Sequence, residues 1–222
     1  MVAEPMLWPG SDPAYPLGTD SLGRNVAAGI AYGARASLLI ALYGTLISVV
    51  IGVLVGALAG YHGARLGDVL MRITEVFQTV PSFLLVIVIV AIGNPTVHVI
   101  ALAIGVSSWP TIARLIRAEF RTLREADFVT AARSQGFSHR AIIVHEILPN
   151  ALAPLVVTAS ILVASAILIE AGLAFLGMSD PNTPSWGGMI GSGREQIASA
   201  WFLTALPGLA IISVVLAFNM LG

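Results

Sequence analysis

Apolar runs long enough to cross a membrane recur along the chain, and they leave few folds open to it. Stretches of about 20 mostly apolar residues, the length a spanning helix needs, occupy 36–60, 73–92, 97–116, 151–176 and 201–221. Inside hydrocarbon the backbone must satisfy its own donors and acceptors, so a spanning segment is a helix or a strand of a closed barrel. Barrel strands alternate polar and apolar residues, whereas these runs are apolar throughout. Composition agrees, because 57% hydrophobic residues, 10% charged residues and a mean hydropathy of +0.90 lie outside the soluble globular range. The reading is an all-α integral membrane protein, a polytopic helix bundle with five spans in this chain. There is no cysteine, which removes disulfides and thiolate metal sites.

The arginines give the bundle its sidedness. Arg65, Arg72, Arg117, Arg121, Arg124, Arg133 and Arg140 fall in the loops after the first and third runs, and Arg114 lies near the end of the third. Only Arg24, Arg35 and Arg194 fall on the other side. Arginine-rich loops stay in the cytoplasm, which places a hairpin at 117–149 inside and a loop at 177–200 outside. The chain then divides into an external N-terminal segment, 1–35, and a transmembrane domain, 36–222. Residues 1–35 carry no signal peptide to export them, so a further helix is expected before Met1, making six spans, and a cytoplasmic tail is expected beyond Gly222.

Within the first run Gly44, Ser48, Gly52, Gly56 and Gly60 recur every fourth residue, a ridge of small side chains that permits close helix approach. A four-residue step overshoots a 3.6-residue turn, so the ridge drifts and is expected to make a crossing contact. Pro81, Pro110, Pro154 and Pro207 are expected to kink their helices, and Pro110 is a pathway candidate. The carboxylates Glu75 and Glu170 lie inside apolar runs, where an unpaired charge is costly. Glu75 either pairs with Arg72 at helical spacing or lines the pathway. Glu170 either lines a water-filled path or hydrogen-bonds a neighbouring helix.

Residues 125–148 form a polar island. A helix over 125–135 ends at Gly136, which can take the left-handed conformation that stops helices. Ser138 caps a second helix, with Phe137 and Ile142 placed to form a hydrophobic staple across the cap. On the first helix Phe128, Ala131 and Ala132 are expected to share a face, an aromatic knob beside small residues, with Arg124 and Arg133 nearby for acidic groups. An ordinary solvated hairpin is the alternative.

Ala131, Ala132, Gly136, Leu148 and Pro149 stand at the spacings of the EAA signature, and the stretch resembles that motif of bacterial ABC-importer permeases. Thr130 stands where that motif has glutamate, and Glu146 where it has isoleucine. Residues 17–26, Leu-Gly-Thr-Asp-Ser-Leu-Gly-Arg-Asn-Val, together with Ser108-Trp109-Pro110, Ala113-Arg114 and Pro184-Ser185-Trp186-Gly187, resemble the dipeptide, oligopeptide and nickel branch, with Asn25 in place of the more usual aspartate.

The resemblance implies a type I ABC importer permease fold in the bacterial inner membrane, surrounded by lipid. It also implies two cytoplasmic ATPase subunits, a second related permease and an external substrate-binding protein as partners, with no nucleic acid. This chain would be half the pathway, coupled to an ATPase through Phe128, Thr130, Ala131, Ala132, Arg133, Gly136 and Phe137. ATP and Mg would be bound by the partner subunits. The chain has no lysine and so no Gly-x-x-x-x-Gly-Lys-Ser/Thr phosphate loop; no cofactor, metal or catalytic role of its own is expected. Asp180 and Trp186 would face the binding protein, the alternative being an interfacial anchor through Trp186 and Trp201. The cargo implied is a peptide, with nickel, glutathione or another small solute as alternatives. A secondary transporter would show internal repeats, and none is evident.

Overall fold

The glycine ridge of the first run organises the molecule. In the computed structural model, which describes residues 4–62 and 64–222 and so leaves residues 1–3 of the expected external segment outside the description, that run belongs to α1 (Val26–Tyr61). Asn25 caps α1 by accepting a hydrogen bond from the Ala28 N–H. Gly44, Gly52, Gly56 and Gly60 lie against α4 (Val97–Arg124), and Ser48 Oγ donates to the Gly105 carbonyl at 3.0 Å. A Cβ at Gly52 would come within 2.5 Å of Ile112, and one at Gly60 within 2.5 Å of Phe120. The contact therefore runs in register from Gly44 beside Ala101 to Gly60 beside Phe120, with the two helices parallel.

This corrects the expected crossing. On α4, Ile112, Ile116 and Phe120 also step by four, so ridge and groove drift together. A stripe whose period exceeds 3.6 stays in contact when the pair wraps with a right-handed sense.

The remaining runs depart from expectation at their ends and at their prolines. The second is not one helix: α2 (Ala64–Thr79) and α3 (Ser82–Gly93) meet at an 81° bend at Pro81. Proline lacks the N–H that would carry the helix through, and Pro81 becomes the cap of α3. Past α4, the chain forms α5 (Asp127–Ser134), α6 (His139–Ala141), a π-helical stretch (Ile142–Ile147), α7 (Leu148–Ala151) and α8 (Ala153–Phe175). Pro154 sits in the first turn of α8, where a missing N–H costs little, and Pro149 lies where the π-helical stretch passes into α7. After α9 (Trp186–Gly193) and a short 3-10 turn, α10 (Phe202–Leu221) completes the bundle. Pro110 and Pro207 lie inside α4 and α10, which continue through them.

Among the described residues, four helices are long and apolar enough to cross a membrane, or five spans if the bent α2–α3 pair counts as one. Among the described residues there is no strand, only an isolated bridge between Thr19 and Asn25. Ile40, Val86, Ile104, Val163 and Ile167 are core residues at one end, and Ile112, Ile116, Phe120, Ile142 and Ile147 at the other. The first end carries α9 and the second carries the 125–148 hairpin.

Candidate functional site

The hairpin is a stiff corner built from local signals. Asp127 lies in the first turn of α5 and Arg133 in the last, each complementing the helix dipole. Gly136 adopts φ +82°. There the Phe137 N–H donates to the Ala132 carbonyl at 3.1 Å and the Gly136 N–H to the Arg133 carbonyl at 3.0 Å, the paired bonds of a Schellman ending. Two residues on, Ser138 Oγ accepts from the Ala141 N–H, so the second limb starts capped. That limb runs through the π stretch into α7, where the Leu148 N–H donates to the Ile143 carbonyl.

Burial divides the hairpin into two faces. Val129, Ala132, Ile142 and Ile147 are buried with Tyr61, Ile116 and Phe120 of α1 and α4. Phe128 is 40% exposed, and Thr130, Ala131, Arg133, Gly136 and Phe137 also face outward. Two expectations need correction here. Ala132 does not share the outward face with Phe128 and Ala131, because it pairs with Val129 at i,i+3 spacing on the inner one. Phe137 and Ile142 occupy different environments, one exposed and one buried, so Phe137 belongs to the outward face rather than to a closed staple.

Side-chain bonds fix the corner to the bundle. The Tyr61 hydroxyl lies 2.6 Å from His139 Nδ1. Arg124 Nη1 donates to the Tyr61 carbonyl at 3.1 Å, and Arg133 Nη2 donates to the Arg124 carbonyl at 3.4 Å. Sequence reasoning missed Tyr61, Val129 and His139. The recurrence of Val129 and Ala132 three residues apart is the signal that could have found the inner face.

The other candidates are scattered. Glu75 is exposed and pairs with Arg72 at 3.2 Å. Glu170 is 1% exposed and accepts from Ser37 Oγ of α1 at 3.2 Å. Ser37 Oγ in turn accepts from the Trp186 N–H at 3.2 Å, joining α1, α8 and α9. Pro110 is buried within α4.

Trp186 requires a correction, since it offers neither an outward face nor an anchor. It is 3% exposed and its indole N–H donates to the Ile30 carbonyl at 2.8 Å, whereas Trp201 is exposed. Asp180 holds its loop to the start of α4, accepting from the Val97 N–H at 3.4 Å, from the Asn182 N–H at 2.9 Å and from the Thr183 hydroxyl at 3.3 Å. It also lines a cavity of about 520 Å³ shared with Asp20, Arg24, Tyr32 and Gln196.

The same arrangement of helices occurs in solved transporters. The chain matches the inward-facing MetNI methionine ABC transporter with a TM-score of 0.70 at 19% identity, over 87% of this chain and 92% of that one. An amino acid ABC transporter with histidines matches with a TM-score of 0.67 at 16% identity, over 88% and 91%. These likenesses establish the type I ABC importer permease fold. Residues 52–222 match the model described as binding-protein-dependent transport system inner membrane component, and the chain belongs to this family, in its DppC-like branch. It is 41% identical over its whole length to the di/tripeptide transport system permease protein DppC of Pseudomonas aeruginosa (strain UCBPP-PA14), covering 74% of that protein. Identity to the dipeptide transport system permease protein DppC of Escherichia coli (strain K12) is also 41%, again over the whole chain and 74% of the relative.

Proposed function

We propose that the chain forms half the translocation pathway of an ATP-driven peptide importer and takes its power stroke through the outward face of the 125–148 hairpin. The observation that carries this reading is the two-faced corner. Its inner face is locked to α1 and α4, while its outer face offers Phe128, Ala131, Phe137 and Arg133 to a partner. A knob beside small residues and a cation is a shape and chemistry that suits a cleft with an acidic rim. An ATPase subunit gripping this corner would move α1 and α4 with it, because the corner is bonded to both.

In this account two ATPases bind ATP and Mg in the cytoplasm, a second related permease supplies the other half of the pathway, and an external binding protein delivers the cargo. Peptides are the cargo favoured by the names of the relatives, which are di- and tripeptide permeases. The test is uptake of a labelled dipeptide into proteoliposomes holding the co-purified complex. ATP is expected to drive uptake and a non-hydrolysable analogue to abolish it. Uptake driven by an ion gradient with no ATPase present would instead identify a secondary transporter.

A further inference from the structure

A cleft of about 260 Å³ opens between α2 and α4, lined by Met71, Thr74, Glu75, Arg114, Arg117 and Arg121. The three arginines lie at i, i+3 and i+7, so they share one face of α4. Their depth follows from helix geometry. About 20 residues rising 1.5 Å each cross a hydrocarbon core of about 30 Å, and counting from Val97 at the α9 end that distance ends among Arg114, Arg117 and Arg121. The cleft therefore sits at headgroup level on the arginine-rich side of the membrane.

Its charge is not cancelled by the protein. Glu75, the acidic side chain in the lining, pairs with Arg72 at 3.2 Å. Arg117 is 25% exposed and reaches Asp68 at 3.4 Å, while its Nε is buried with no hydrogen-bond partner. Arg114 and Arg121 make no ion pair or side-chain hydrogen bond among the described residues. The floor is apolar at the buried Met71. Further along the α2–α4 contact Phe77 packs edge-on against Trp109 at 5.3 Å, so the cationic cleft gives way to apolar contact between the two helices.

We infer that this cleft binds the phosphate of an anionic phospholipid headgroup from the cytoplasmic leaflet. Guanidinium forks match phosphate oxygens in pairs, and basic pockets between spanning helices at this level suit such headgroups. Phosphate chemistry alone would also admit the free ion. The depth selects the lipid, because a cleft at headgroup level meets lipid phosphate first. The inference rests on the membrane placement of α4 and does not depend on how the hairpin is used.

The test uses the intact, delipidated complex, with native mass spectrometry after addition of phosphatidylglycerol or phosphatidylcholine. Phosphatidylglycerol is expected to be retained preferentially. The double variant Arg114→Gln, Arg121→Gln is expected to lose that preference by roughly an order of magnitude, while Arg114→Lys, Arg121→Lys keeps part of it. Continued co-purification of the ATPases with the glutamine variant serves as the folding check, and if that variant fails to assemble, the lysine variant and the wild-type lipid comparison carry the test. Equal retention of both lipids by the wild type would overturn the inference. Displacement of phosphatidylglycerol by inorganic phosphate alone would mark an ion site instead. A raised KM for dipeptide uptake in the glutamine variant, with lipid preference intact, would reassign the cleft to the cargo's carboxylate.

Discussion

The Tyr61 hydroxyl lies 2.6 Å from His139 Nδ1, bonding the last residue of α1 to the first residue of the hairpin's second limb. The Tyr61 carbonyl also accepts from Arg124 at the end of α4. One residue thus connects the corner to both helices of the glycine seam. Tyr61→Phe removes the hydroxyl bond while keeping the ring, at a cost of about 1 kcal/mol in stability. Dipeptide transported per ATP hydrolysed is expected to fall, with the ATPases still bound. An unchanged ratio would show that force does not pass through this bond.

Gly136 separates backbone strain from crowding. A Cβ there meets nothing within 4 Å, yet φ is +82°. Gly136→Val is expected to distort the corner, because β-branched residues strongly resist this conformation, and co-purification with the ATPases is expected to drop. Gly136→Asn, which tolerates the left-handed region, is expected to retain both binding and uptake. Equal behaviour of the two variants would contradict the corner's conformational role.

Along the α1–α4 seam, space is the constraint. At Gly56 a Cβ would lie 2.5 Å from the Ala113 carbonyl oxygen and 2.8 Å from Ile116 Cβ. Gly56→Val is expected to cost about 1–3 kcal/mol through overpacking. Gly208 in α10 has nothing within 4 Å, so Gly208→Ala is expected to be neutral or slightly stabilising. Thermal unfolding in detergent compares the two, and similar midpoints would deny the seam its structural weight.

Glu170 and Ser37 hold α9 in place through the Trp186 N–H. Glu170→Gln can keep accepting from Ser37, whereas Glu170→Ala leaves that hydroxyl without its acceptor in a buried site, a loss of about 1–3 kcal/mol. Proteolysis of the 177–200 loop is expected to speed up in the alanine variant and to stay slow in the glutamine variant. Equal protection in both would mean that packing alone secures α9.

Features written in local chemistry were legible in the sequence. Gly136 and Ser138 carry their stop and cap signals within a few residues, and Glu75 has its partner Arg72 three positions away. What could not be read depends on a distant surface. The ridge from Gly44 to Gly60 was visible, but its long parallel contact depends on α4 having a matching four-residue step at Ile112, Ile116 and Phe120. Trp186 has the composition of an interfacial residue, yet the Ile30 carbonyl, far away in the chain, takes its indole N–H into the bundle. Pro81 announced a perturbation, and only the packing of α2 and α3 on α4 fixes it as an 81° break.

Contact between the outer face of the hairpin and an ATPase is open to direct measurement because the chain has no native cysteine. A photoreactive probe on Phe128→Cys reports from the outward face, and one on Leu209→Cys reports from the exposed face of α10. In the intact complex, illumination is expected to join Phe128→Cys to an ATPase subunit and Leu209→Cys to none. An adduct to an ATPase from Leu209→Cys alone, or no ATPase adduct from Phe128→Cys, would contradict the account.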